Sequence, residues 1–276
     1  MDVGKSLCCM YSHPVLDEDA LRECIQKKGF GIPKTRWIGV PTTSGTGSEV
    51  TCWATIWDPE KNAKRSVENH ENYAYAALVD PQLTEKMPLK LAVSSALDAV
   101  AHAVEAYWAR GTNAVSRALG LQAIRIIMNH MEDLLCGLPG ASNAMAQGSM
   151  LAGLAFSNTK TTACHSISYP LTMHYHIPHG VAVSMLLAPI LELNEPQVSE
   201  IEPLWEALGV EQVSQLKERI SSFLERSGQS SALRDWGVPS TACSSLAEAG
   251  MTKGRADNNP VELTAEKIKG ILEAIY

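Results

Sequence analysis

From residue 88 onward, apolar residues recur three and four positions apart, in runs of Ala, Leu, Ile and Met over 88–109, 114–135, 141–158, 181–193, 198–227 and 264–275. That spacing predicts amphipathic helices, each with one stripe to bury. Upstream the pattern is different. Residues 35–41 (Thr-Arg-Trp-Ile-Gly-Val-Pro), 50–57 and 73–79 are short and rich in β-branched and aromatic side chains, which predicts strands, with a turn over 58–62. Residues 1–9 read as a helix, and 17–28 as a helix or an irregular connection. Strand signals nearly vanish after Asp80. The expectation is an α/β region over 1–84 and an all-helical region over 85–276.

Composition narrows the function without naming it. The chain has 276 residues, enough for a sizeable core in one or two domains. A formal charge of −7 with no run of Lys and Arg argues against a nucleic-acid partner. No apolar span approaches membrane length, and Met1-Asp2-Val3-Gly4-Lys5 does not read as a signal peptide. Seven scattered cysteines without C-x-x-C spacing fit reduced thiols and a cytoplasmic location.

Two stretches carry candidate chemistry. Residues 161–180 hold four of the eight histidines, His165, His174, His176 and His179. Asp98 and His102 lie four residues apart in a predicted helix, so they share one face. A carboxylate and an imidazole from one helix, with two later histidines, would make a nitrogen and oxygen metal site. The second stretch is Thr42-Thr-Ser-Gly-Thr-Gly-Ser-Glu49, a small polar loop whose N–H groups and hydroxyls could meet phosphate or ribose oxygens.

Taken in order, Thr42–Glu49, Asp98-x-x-x-His102, and His165 followed fourteen residues later by His179-Gly180 resemble the iron-containing (group III) alcohol dehydrogenases. The resemblance runs down to Asn259-Pro260 and Tyr276. It implies an α/β remnant of a dinucleotide-binding domain followed by an all-α metal-binding domain, the architecture shared with dehydroquinate synthase. It assigns Asp98, His102, His165 and His179 as ligands of Fe2+ or Zn2+, with NAD(P)H exchanging hydride with a small aldehyde or primary alcohol. It places Thr42, Thr43, Gly45, Thr46, Gly47 and Ser48 at the cofactor, with Asp2 and with Arg65 or its neighbour Lys64.

Two departures shape the expectation. The family's histidine four residues after the third ligand is replaced by Tyr169, a candidate proton relay. The form Thr-Thr-Ala-x-His-x-Ile-Ser-Tyr-Pro resembles a branch that includes phosphonoacetaldehyde reductases, so phosphonoacetaldehyde, giving 2-hydroxyethylphosphonate, is the substrate it suggests. The family's Gly-Gly-Gly-Ser loop would precede Met1, which predicts a shortened nucleotide-binding part and exposed apolar strand edges that favour chain pairing, with a homodimer as its simplest form. The competing expectations are a catalytically silent metal-binding fragment and a metal-dependent lyase of the dehydroquinate synthase branch.

Overall fold

The computed structural model describes every residue except 14, 16, 59, 62, 252 and 253. The turn predicted over 58–62 includes Pro59 and Asn62, and the Lys64 side chain belongs with them; these lie outside the described residues. The chain divides into two compact units, Met1–Thr42 with Gly47–Asp80, and Thr43–Thr46 with Pro81–Tyr276.

The first unit is α/β. Helix α1 (Asp2–Ser12) packs against strand β2 (Trp53–Asp58), which pairs antiparallel with β3 (Ala63–Glu68) from Trp53↔Glu68 to Asp58↔Ala63. Helix α2 (Glu18–Gln26) opens on Asp17, whose side chain accepts from the Ala20 N–H, and covers β3. Cys9, Cys24, Ile25, Phe30, Ala54 and Val67 form a small core between them. The strands predicted over 35–41 and 73–79 contract to a parallel pair, β1 (Ile38–Gly39) and β4 (Ala76–Ala77). Pro33 and Pro41 bracket β1 and lack the N–H a longer ladder needs. Strand β3 went unpredicted because Lys-Arg-Ser-Val-Glu carries no alternating apolar signal; its pairing with β2 makes it a strand.

The second unit is all helical. Helix α3 (Leu89–Trp108) is its axis, with α4 (Ala114–Leu135), α5 (Ala141–Thr159) and α7 (His179–Asn194) packed on it. Between α5 and α7 runs α6 (Ala163–Tyr175). Then follow α8 (Glu202–Leu208), α9 (Val213–Arg226), α10 (Cys243–Ala249) and α11 (Ala265–Ala274). The helix predicted over 198–227 is thus two, parted around Gly209. Every residue of α3 from Ala96 to Trp108 is buried. Alanines at 96, 99, 101, 103 and 106 let neighbouring helices approach it closely, so a helix with few large side chains becomes the centre of the core. No described helix is long and apolar enough to cross a membrane. All seven cysteines are free, and all but Cys136 are buried.

Candidate metal centre

Asp98 and His102 stand one turn apart on α3, and Glu105 follows on the same face. The other candidate ligands come from α6 and α7. His165 lies in the first turn of α6, and His179 is the first residue of α7. Pro170 sits inside α6, where its ring removes one helical N–H, and His176 ends the helix in a left-handed conformation (φ 55°). The chain then turns through Ile177-Pro178 into α7. A Cβ at Gly180 would come within 2.2 Å of the Ser94 carbonyl oxygen, so only glycine lets the start of α7 lie this close to α3. That contact brings His179 to Asp98.

The carboxylate of Asp98 collects the three rings. Its Oδ1 lies 3.3 Å from His165 Nε2 and 3.8 Å from His179 Nε2, and its Oδ2 lies 3.9 Å from His102 Nδ1. The two longer separations exceed a hydrogen bond, and all three are near what two ligands would show when sharing an ion about 2.0–2.2 Å from each. Asp98 Oδ1, His102 Nδ1 and His165 Nε2 are buried without a hydrogen-bond partner among the described residues. Such orphaned atoms are costly in a folded protein and need an explanation. A cation bound among them supplies one, and the donor set of imidazoles and a carboxylate fits iron or zinc. Asp98, His165 and His179 offer ligand atoms mutually within 4.8 Å; His102 is outside that trio. Its ring instead stacks between His165 and Phe156, with both centroids 4.2 Å away.

Electrostatics favour that donor set. Burial pushes the His102 imidazole down to about 3, against the opposing pull of Asp98, so this ring is neutral near pH 7 with a lone pair to give. Burial alone would raise Asp98, yet the rings of His102, His165 and His179 override it and hold the carboxyl well below its ordinary value. Asp98 is therefore ionised, as a ligand must be.

Glu105 is the residue that sequence reasoning missed. It is fully buried, and its Oε2 accepts a hydrogen bond from His165 Nδ1. Its Oε1 accepts from Thr162 Oγ1 (2.8 Å) and from the Cys164 N–H (2.7 Å). The available signal was its spacing of three from His102 and seven from Asp98, which extends their face by one turn.

The remaining predicted site residues separate into groups. Tyr169 lies nearly parallel to His179, its centroid 6.0 Å away, with the Arg255 guanidinium 4.9 Å from its ring centre. His174 and His176 are exposed. In the loop, Thr42 and Thr46 are exposed, Thr43 is half-buried, and Gly47 takes a left-handed φ of 55°. A Cβ at Gly45 would meet the Ser95 backbone oxygen at 2.8 Å, so this residue too is glycine for close approach to α3. Asp2, Ser48 and Arg65 are engaged inside the first unit. Asp2 accepts from Ser48 Oγ and the Thr55 N–H, both at 2.9 Å, and Arg65 Nε donates to Asp58 at 2.8 Å.

Comparison with known proteins follows the same order along the chain. The family model for iron-containing alcohol dehydrogenase matches residues 1–81, and that for the Fe-containing alcohol dehydrogenase family, C-terminal, matches 92–276. The chain belongs to the iron-containing alcohol dehydrogenase family. It is similar to an NADPH-dependent butanol dehydrogenase from Clostridium saccharobutylicum, 27% identical over 100% of this chain and 74% of that one. It is 32% identical to long-chain-alcohol dehydrogenase 1 of Geobacillus thermodenitrificans, over 91% of this chain and 65% of the relative. Among solved structures, sulfoacetaldehyde reductase from Bifidobacterium kashiwanohense, in complex with NAD+, superposes with a TM-score of 0.89 at 26% identity, covering 99% of this chain and 73% of that one. Membership accounts for the α/β part followed by an all-helical part.

Proposed function

We propose that the chain acts as a metal-dependent oxidoreductase, transferring hydride between NAD(P)H and a small aldehyde or primary alcohol. The observation that carries this reading is the set of unsatisfied buried atoms on Asp98, His102 and His165, facing one another beside His179. Asp98, His165 and His179 would hold Fe2+ or Zn2+, with His102 closing the set from one turn further along α3. When bound, the ion supplies a Lewis acid for a carbonyl oxygen and stabilises the negative charge that develops there.

The chain's own residues do the rest. Phe156 fixes the plane of the His102 ring by stacking. Tyr169, beside His179 and 9% exposed, is the proposed donor of the proton that completes the alcohol, through its phenolic Oη. The loop of Thr42, Thr43, Gly45, Thr46 and Gly47 is the proposed cofactor contact, and its exposed Thr42 and Thr46 offer hydroxyls to phosphate or ribose oxygens. Asp2, Ser48 and Arg65 complete the proposed cofactor set, each held in place by hydrogen bonds within its own unit. In this division residues 85–276 carry the metal and the chemistry, and residues 1–84 serve the nucleotide.

For the substrate we favour phosphonoacetaldehyde, reduced to 2-hydroxyethylphosphonate. Arg255 supports an anionic substrate, because its guanidinium rests on the ring that faces His179. Chain pairing into a homodimer belongs to the same reading and is supported by the exposure of Ile38, Val40 and Leu78 (56%, 44% and 56%).

One experiment tests these statements together. The chain is loaded anaerobically with Fe(II) or Zn(II), its bound metal is assayed, and NADH and NADPH oxidation is followed with neutral and anionic aldehydes. Stoichiometric metal and turnover are expected, with Arg255→Gln raising KM for the anionic aldehydes selectively. A chain that retains no metal would refute the reading. Size-exclusion chromatography of the same sample reports the pairing.

A further inference from the structure

Glu105 is bonded through both carboxylate oxygens, and nothing in the proposed chemistry yet uses it. It is fully buried on α3, where an unpaired carboxylate would be very costly. Each of its oxygens is instead assigned to a different task.

Oε1 serves the start of α6. The first N–H groups of a helix lack internal partners, and here the N-cap residue, Thr162, makes no side-chain capping bond to its own helix. Glu105 supplies the cap from another helix, accepting from the Cys164 N–H at 2.7 Å and from the Thr162 hydroxyl at 2.8 Å. That hydroxyl in turn accepts from Trp108 Nε1 at 2.8 Å, which joins two turns of α3 to the start of α6. A negative charge at this end is also favoured by the helix dipole.

Oε2 serves the imidazole. An ionised carboxylate can only accept, so its partner Nδ1 of His165 must carry the hydrogen. A neutral ring with hydrogen on Nδ1 has its lone pair on Nε2. That nitrogen is the one 3.3 Å from Asp98 Oδ1 and without a hydrogen-bond partner among the described residues.

We infer that Glu105 is a positioning residue for the metal centre: one carboxylate caps α6 and, through the same group, holds His165 in the tautomer whose Nε2 can ligate. The inference rests on the reading of Asp98, His165 and His179 as a metal site. Because both oxygens act at once, the rotation of the ring, its tautomer and the position of the helix that carries it are set together.

Glu105→Gln separates the tasks while keeping the size of the side chain. An amide has one acceptor oxygen and one NH2 donor. If its oxygen stays with Cys164 and Thr162, the NH2 faces Nδ1, which must then accept, and the ring hydrogen moves to Nε2. If the amide is flipped, its NH2 meets the Cys164 N–H, donor against donor. Thr162→Val removes the hydroxyl bond to Oε1, and with it the acceptor of Trp108 Nε1, but leaves the Cys164 N–H on Oε1 and the bond to Nδ1.

The test measures Zn(II) affinity by chelator competition and the His165 ring state by 15N NMR of the metal-free, histidine-labelled chain. Glu105→Gln should weaken Zn(II) about 10–100-fold, the usual effect of losing a partner to a metal-bound histidine, and should remove the hydrogen from Nδ1. Thr162→Val should lower the melting temperature yet keep Zn(II) affinity close to that of the unmodified chain. Unchanged affinity with hydrogen still on Nδ1 in Glu105→Gln would overturn the inference, as would a Thr162→Val loss as large as that of Glu105→Gln. Should Glu105→Gln fail to fold, the unmodified metal-free chain decides: hydrogen on Nδ1 supports the inference, and its absence there overturns it. Failure of the unmodified chain to bind Zn(II) at all would instead refute the metal reading itself.

Discussion

Both units set carboxylates among polar neighbours, and the two clusters differ in how those carboxylates are occupied. In the α/β unit Asp2 accepts from Ser48 and Thr55, while Lys5, fully buried, spends its three donors on Ser48 Oγ, Thr51 Oγ1 and the Trp53 carbonyl oxygen. Asp58 is similarly occupied, receiving Arg22, Arg65 and the Lys61 N–H. In the helical unit Asp98, His102 and His165 each keep a buried atom with no partner among the described residues. Burial and charge are common to both regions. Single open atoms occur elsewhere, as at Asn72 Oδ1 beside Lys5; what marks the ligand set is that three open atoms on ligating side chains converge.

The sharpest way to break that contrast is Asp98→Ala. It removes the carboxylate that faces all three rings, so the loss in Zn(II) affinity should exceed the about 10–100-fold expected when only an outer partner is removed. Chelator competition measures it, and undiminished affinity would show that the open atoms are not ligands. The corresponding change in the closed cluster, Asp2→Asn, should leave metal binding where it was.

A smaller effect is expected from Gly180→Ala. The added methyl must displace α7 from the Ser94 backbone, at a cost of about 1–3 kcal/mol for overpacking, and must draw His179 away from Asp98. Urea unfolding and Zn(II) competition should both register it. A variant with unaltered stability and affinity would show that the close approach does not set the site.

The smallest effect concerns the closed cluster and acid. Hydrogen bonds from Arg22 and Arg65 hold the Asp58 carboxyl well below its ordinary value. The stability this adds is present above the unfolded carboxyl pKa, about 4, and is lost as pH falls through the lower folded value. Asp58→Asn should therefore be less stable than the unmodified chain at pH 7 and converge with it in acid, as read by urea midpoints across pH. Parallel curves would place the stabilisation elsewhere. Metal affinity should not respond.

Much of this was legible in the residues. Helical spacing located α3, α4, α5 and α7 because each repeats its apolar positions every third or fourth residue, and the four-residue interval placed Asp98 and His102 on one face. The density of histidines pointed to 161–180. Other features had no periodic signature. Strand β3 exists through its partner β2, and α6 contains a proline that argues against a helix until its neighbours are known. The hydrogen bonds of Asp2, Ser48 and Arg65 within the first unit were equally hidden, since the sequence does not show which polar side chains meet one another.

What the sequence by itself determined is therefore local: which segments are helical, which residues share a turn, and which donor types are available. The tertiary structure decided what those groups meet. His179 reaches Asp98 because Gly180 admits the Ser94 backbone, and Glu105 finds His165 and the start of α6 sixty residues away. Periodicity encodes a face of one element, whereas a close approach or a hydrogen bond between elements depends on packing that no single segment specifies.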